Sequence, residues 1–245
     1  MLVFVFPVLG GLAGVLFIRL LGFRKFHGGD LLLGFAVFFI SIFIQQPIQQ
    51  LPLLYLLFSN GLTVDPVEIQ GKVLERITAQ NLLFTLAISI WLGFVAALVQ
   101  SGFKYLFVRN KSYVTSMNVG AGFGLMEAFF VGITGLITQL FVGQVVKVPF
   151  YYYVVSGIER FSALLFHAGS TLYLYNAWSI GKGLKGFAVI VVVHGFIDTL
   201  AACYQFTGDV VLLVFIEILV LAIGLLLTLK LYKKTLVDEE DGVPW

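Results

Sequence analysis

The sequence has few charged residues and a single cysteine. Only 11% of its 245 residues are charged, whereas a typical soluble domain is about one quarter charged, so a soluble globular protein is excluded. One cysteine, Cys203, cannot form a disulfide framework or a cysteine-ligated zinc site within one chain. We interpret it as a small buried apolar residue.

Several motifs of well-known hydrolases and binding proteins are also missing. The sequence contains no HExxH, so the usual helical zinc-protease motif is excluded, and no GxSxG or glycine-rich phosphate loop. A membrane aspartyl protease needs two intramembrane aspartates, and only Asp198 lies in an apolar segment. No basic patch suggests nucleic-acid binding, so nucleic acid is not an expected partner.

Long apolar runs dominate the sequence instead. Hydrophobic residues make up 60% of the chain, the mean hydropathy is +1.01, and the runs are long enough to cross a bilayer. The sequence therefore predicts an all-α polytopic membrane protein with a single transmembrane domain over residues 1–245 and no cleavable signal peptide. The predicted spans are 2–21, 31–58, 82–107, 117–141, 153–178, 184–206 and 209–231.

The basic residues predict the orientation of these seven spans. On one side lie 11 of the 15 lysines and arginines, counting Lys104, and 3 lie on the other, while Arg160 falls within a span. The positive-inside rule then places the N-terminus outside and the C-terminus in the cytoplasm. We expect a multi-pass protein of the cell (plasma) membrane.

Two polar segments lie outside the predicted spans. Residues 59–81 are expected to form an extracellular loop with a short amphipathic helix, because Asp65 and Glu68 fit a helix N-terminus. This helix is either a surface connector or a lid. Residues 232–245 are expected to form an acidic cytoplasmic tail.

The second span contains glutamines around two prolines. Proline frees backbone carbonyls in a helix, and side-chain amides can satisfy them. The glutamines therefore either bond to the opened backbone or line a polar cavity. The candidate lining residues are Gln45, Gln46 and Gln49, together with Gly124 of the fourth span.

Ionisable residues recur in spans four, five and six. Glu127, His167 and His194 each lie about ten residues from the predicted cytoplasmic edge, or roughly 15 Å, close to the bilayer midplane. An ionisable side chain at that depth costs about 2.5–3.5 kcal/mol on insertion scales, so such residues usually mark a functional site. Asp198 shares a helix face with His194, since the two are four residues apart.

These residue types suit hydrolysis. Glu127 could hold a water molecule and remove its proton. His167 and His194 could ligate a metal with Glu127, or one could polarise the water while the other supports an oxyanion. Asp198 could fix the His194 tautomer. Each histidine could alternatively make a purely structural interhelical hydrogen bond.

A second group of charges is expected to support the cluster. Arg160 lies at a depth similar to that of Glu217, so we predict that it pairs with Glu217 or with the adjacent Glu159. Three glycines at positions 120, 122 and 124 leave room beside Glu127, either for close helix packing or for substrate.

The order of these motifs resembles a known family. The segments GxGxGxxEA at Gly120–Ala128, ER followed by a histidine at Glu159–His167, and HGxxD at His194–Asp198 resemble the YhfC-like membrane peptidases. Those are grouped with the CAAX-protease and PrsW enzymes and with the anterior-pharynx-defective subunit of gamma-secretase. The CAAX enzymes carry adjacent glutamates where this chain has Glu127, and a histidine often stands at the YhfC position of Phe123.

The resemblance implies a CAAX-protease-like helical bundle and an intramembrane, glutamate-dependent metallopeptidase. Glu127 would activate water, His167 would hold that water or a metal such as zinc, and His194 with Asp198 would support the oxyanion or the metal. The substrate would be a membrane-embedded or membrane-anchored peptide. Two alternatives remain open: a non-catalytic scaffold, as in the gamma-secretase subunit, and a small-solute transporter with acidic proton relays.

Overall fold

The computed structural model describes residues 2–59, 82–141 and 149–240. Over these ranges the regular structure is entirely α-helical, which confirms the predicted all-α class. Of the predicted loop 59–81, Ser59 is the last residue of the second helix, and the rest, with its expected helix, lies outside the described residues. The helices are α1 Leu2–Leu20, α2 Gly28–Ser59, α3 Leu82–Val108, α4 Tyr113–Phe141, α5 Phe150–Ser179, α6 Gly183–Thr207 and α7 Val210–Glu240.

Each predicted apolar segment corresponds to one helix, and the ends differ by a few residues except at the C-terminus. There α7 continues to Glu240, whereas the part that is apolar enough to cross a membrane ends at Lys230. The expected acidic tail is therefore helical as far as Glu240, and its cytoplasmic location stays a prediction. The sequence places no glycine or proline between Gly224 and Gly242, and a helix without these residues has no local reason to end.

Six of the seven helices are long and apolar enough to cross a membrane, and α5 is the exception. This helix carries Glu159, Arg160 and His167 and has a stretch of buried residues from Ser162 to Ala177. It packs against α1, α3, α4, α6 and α7. A helix enclosed by protein needs less apolar surface than one facing lipid, so the least apolar helix lies at the centre of the bundle.

Two glycines set the helix spacing around this centre. A Cβ atom built on Gly120 of α4 would lie 2.6 Å from the His167 carbonyl oxygen of α5. A Cβ built on Gly93 of α3 would collide with the backbone of α6 at Thr199 and Gly195. Both pairs of helices therefore approach to backbone contact, which only glycine allows.

Candidate functional site

The centre of the candidate site is a contact between α4 and α5. His167 Nε2 lies 2.8 Å from Glu127 Oε2. The Gly120 contact lies two helical turns from Glu127 and holds the two helices at the separation that this side-chain contact needs. The structure thus brings together a carboxylate and an imidazole that the sequence placed at the same depth.

Arg160 completes the carboxylate's surroundings. Its Nη1 lies 3.0 Å from Glu127 Oε1, and its Nη2 contacts the neighbouring Glu159. The predicted pairing with Glu159 is therefore present, while the described residues show no ion pair between Arg160 and Glu217. Glu217 Oε2 is buried without a hydrogen-bond partner. Depth alone could not reveal that Arg160 contacts Glu127 of α4.

Lys104 of α3 is a member of this cluster that the sequence analysis placed elsewhere. We counted it among basic residues at the cytoplasmic side, but it is 0% exposed. Its Nζ lies 3.0 Å from His167 Nδ1 and 3.2 Å from Ser170 Oγ. The ammonium also lies 5.1 Å from the ring centre of Phe123. The expected loop position is therefore wrong for Lys104.

A signal for Lys104 does exist in the sequence. Gln100, Ser101 and Lys104 are spaced so that they share one side of an otherwise apolar helix. All three are buried. We overlooked this polar stripe because a lysine near the end of an apolar run usually extends its side chain to the membrane surface.

The contacts of His167 favour one tautomer when Lys104 is charged. A lysine ammonium can only donate, so Nδ1 of His167 would accept from it. Nε2 would then carry the proton and donate to Glu127. The imidazole therefore links a cation on α3 to a carboxylate on α4.

The second histidine lies beside the first. The ring centres of His167 and His194 are 5.6 Å apart. His194 Nδ1 lies 3.1 Å from Ser101 Oγ, and its Nε2 lies 3.4 Å from Asp198 Oδ2. The expected partnership of His194 with Asp198 is thus a loose contact within α6, and Ser101, which the sequence analysis did not single out, contacts the other ring nitrogen.

The cluster is open on one side and closed on the other. The side chains of Glu127, Asp198 and Glu159 are 22%, 29% and 44% exposed. Lys104 and Ser170 are fully buried on the opposite side. The partly exposed side of the cluster therefore carries the carboxylates, and the buried side carries Lys104.

The glutamines of α2 form an interhelical network. Gln45 Nε2 donates to Gln49 Oε1, Gln49 Nε2 donates to the Leu92 carbonyl, and Gln100 Nε2 donates to Gln45 Oε1. Gln46 is exposed on the outside of α2. Gly124 packs against Leu164, where a Cβ would lie 2.7 Å from the Leu164 Cα. Gln46 and Gly124 are therefore not cavity-lining residues in this structure, and the amides join α2 to α3.

The predicted metal ligands do not form a metal centre in this arrangement. Within the described ranges, no group of three or more His, Cys, Asp or Glu side chains is placed to hold a metal ion. Both oxygens of Glu127 and both ring nitrogens of His167 are already used by Arg160, Lys104 and each other. Two cationic side chains within a few ångströms also disfavour a divalent cation.

The fold and site define a multi-pass helical membrane protein with a carboxylate–imidazole cluster inside the bundle. A family model described as the YhfC intramembrane metalloprotease matches residues 137–220, about a third of the chain. This match confirms the predicted resemblance to YhfC-like membrane peptidases and supports a hydrolase. Searches of curated proteins and of solved structures found no significant match.

The segment that matches the family model covers only part of the candidate site. It contains Glu159, Arg160, His167, His194 and Asp198. It begins after Glu127 and ends before α7 does, so it covers α5 and α6 in full and leaves out the α4 carboxylate.

Proposed function

We propose that this protein is an intramembrane peptidase in which Glu127 is the general base. The observation that carries the proposal is the 2.8 Å contact between Glu127 and His167, on the open side of a cluster whose helices α5 and α6 match a protease family. The substrate would be a membrane-embedded or membrane-anchored peptide that approaches the exposed side of Glu127.

The carboxylate has the access that a base needs. Although Arg160 and His167 each contact one oxygen, the Glu127 side chain is 22% exposed, and each carboxylate oxygen has two acceptor positions. A water molecule can therefore donate to Glu127 while the two existing contacts keep the carboxylate in place. Arg160 and the His167 N–H balance its negative charge in the apolar surroundings.

Hydrolysis would then follow an ordinary acid–base course. Glu127 takes a proton from the water as its oxygen bonds to the peptide carbonyl carbon, and the carbonyl electron pair moves to oxygen. When the carbon–nitrogen bond breaks, Glu127 passes the proton to the departing amine. His194, whose ring centre lies 5.6 Å from that of His167, would donate its Nε2 proton to the negative oxygen once its loose contact with Asp198 gives way. Asp198 orients its ring.

A substitution that keeps the shape of the carboxylate tests this role. Glu127→Gln should lower the cleavage rate by at least about 10²-fold, because the amide cannot accept the water proton. Glu159→Gln is the matched control, since it removes a carboxylate from the same arginine without touching His167. Cleavage of a membrane-anchored reporter peptide by purified protein in liposomes gives the rates. Equal rates for wild type and Glu127→Gln would contradict the proposal.

A non-catalytic scaffold is the second candidate, and one observation favours it. The chain of contacts from Lys104 through His167 and Glu127 to Arg160 joins α3, α4 and α5 by hydrogen bonds, which is what a structural polar core does. If the protein is a scaffold, Glu127→Gln should lower its thermal stability, and the wild type should cleave no peptide. A catalytic protein would lose cleavage with little change in stability.

A further inference from the structure

Lys104 lies in the cluster but has no role in the proposed reaction. Lys104 is fully buried, and its Nζ contacts His167 Nδ1 at 3.0 Å and Ser170 Oγ at 3.2 Å. Phe123 and Phe166 lie on either side, with ring centres 5.1 and 5.8 Å from the ammonium. A buried lysine is costly unless its surroundings stabilise the charge, and here two ring faces and two polar acceptors do so.

This lysine competes with a metal for Nδ1 of His167. A zinc ion on Nδ1 would sit about 2.0–2.1 Å from that nitrogen. Lys104 Nζ already lies 3.0 Å from the same nitrogen, so it would have to move away for a metal to bind there. A metal on Nε2 would instead have to break the contact with Glu127.

We propose that Lys104 is the resident cation of this site. Its ammonium stands in place of a metal ion and holds His167 in the tautomer that donates to Glu127. The inference rests on the proposed peptidase function and deepens it, because it makes the reaction independent of metal. Lys104 acts through His167, so it is a positioning residue.

The consequence for His167 can be measured without substrate. The chain has 3 histidines, so ring ¹⁵N spectra of histidine-labelled protein can be assigned with His167→Ala and His194→Ala. We expect His167 of the wild type to have an unprotonated Nδ1 and a protonated Nε2. Lys104→Met, which has similar length and no charge, should shift the Nδ1 resonance and abolish the single fixed tautomer. A wild-type His167 with its proton on Nδ1 would overturn the proposal.

Metal binding gives a second, independent readout. Zn²⁺ titrations of wild type and His167→Ala in detergent should agree, because we expect no zinc to bind at His167. The melting temperature of the wild type should be unchanged by a chelator. One equivalent of zinc in wild type that is lost in His167→Ala would overturn the proposal. Both wild-type measurements decide the question even where Lys104→Met fails to fold.

These measurements separate this inference from the proposed function. Wild type that cleaves the reporter at the same rate with and without chelator supports both. If the wild type has the expected tautomer and binds no zinc but does not cleave the reporter, the resident-cation proposal stands and the peptidase proposal fails. Cleavage lost on chelation and restored by zinc retains the peptidase and overturns the resident cation.

Discussion

Arg160 is the residue on which the charge balance of the site depends. It is 9% exposed and bridges Glu127 on α4 and Glu159 on its own helix. Its Nε is buried without a hydrogen-bond partner, so the two carboxylates satisfy only the ends of the guanidinium. Removing one member of such a group leaves the other charge buried and uncompensated.

We therefore predict that Arg160→Met destabilises the protein by about 2–4 kcal/mol, somewhat less than for a fully buried pair because Glu127 is partly exposed. Adding Glu127→Gln to Arg160→Met should recover part of that loss, since the uncompensated carboxylate is removed. Denaturant titration of the four forms in detergent gives the coupling energy. Losses that simply add would show that the two side chains do not interact.

The sequence predicted several residues of the site but not which of their side chains contact one another. Depth along the spans placed Glu127, His167 and His194 at one level, and the structure brings Glu127 and His167 into contact. Depth does not report rotation about a helix axis, so it could not assign Arg160 to Glu127. Lys104 was missed for a similar reason, since a lysine near a span end has the same sequence signature whether it faces water or the core.

The α4–α5 pair is the element that holds the site together. Its helices meet at Gly120, where a Cβ would be 2.6 Å from the carbonyl oxygen of His167. Backbone atoms cannot move aside as a flexible side chain can, so any added atom must separate the helices. The side-chain contact between Glu127 and His167 depends on that separation.

Gly120→Ala should consequently destabilise the protein by about 1–3 kcal/mol and lengthen the Glu127–His167 contact. Gly29→Ala is the matched control, because a Cβ there meets nothing within 4 Å. It should be neutral or slightly stabilising, since alanine favours a helix more than glycine. Thermal unfolding of both variants compares them. Equal melting temperatures would contradict the close approach of α4 and α5.

Segment lengths and hydropathy predicted every described helix, because apolar runs of that length have few alternatives in a bilayer. The end of α7 was less predictable. Helix-forming residues continue past the apolar part to Glu240, and a boundary drawn from hydropathy stops where the apolar residues do. The low hydropathy of α5 is a signal for an enclosed helix, but hydropathy does not report which helices enclose it.

The molecule as a whole has an orientation that its basic residues predict. Although Lys104 is buried, the remaining lysines and arginines still concentrate on the predicted cytoplasmic side. We expect a green-fluorescent-protein fusion at the C-terminus to fluoresce and an alkaline-phosphatase fusion there to be inactive in bacterial cells. The reverse pattern would place the C-terminus outside.

The predicted orientation would also place outside the end of the bundle that is nearest to Glu159. Glu159 is 44% exposed at that end, so Glu159→Cys, in a Cys203→Ser background, should react with a membrane-impermeant maleimide added to intact cells. Ser170→Cys is the matched control on the same helix, and it should not react, because Ser170 is 0% exposed. Labelling of Glu159→Cys only after the cells are opened would reverse the direction of access.

The position of α5 has a consequence for how the protein is made. By length and composition six of the described helices are apolar enough to cross a bilayer, whereas α5 is not. Its contacts include α1 and α4, which are synthesised before it, and α6 and α7, which follow. We therefore expect α5 to insert less efficiently as an isolated segment than together with these neighbours. The helix that carries Arg160 and His167 would then depend on the rest of the bundle for its place in the membrane.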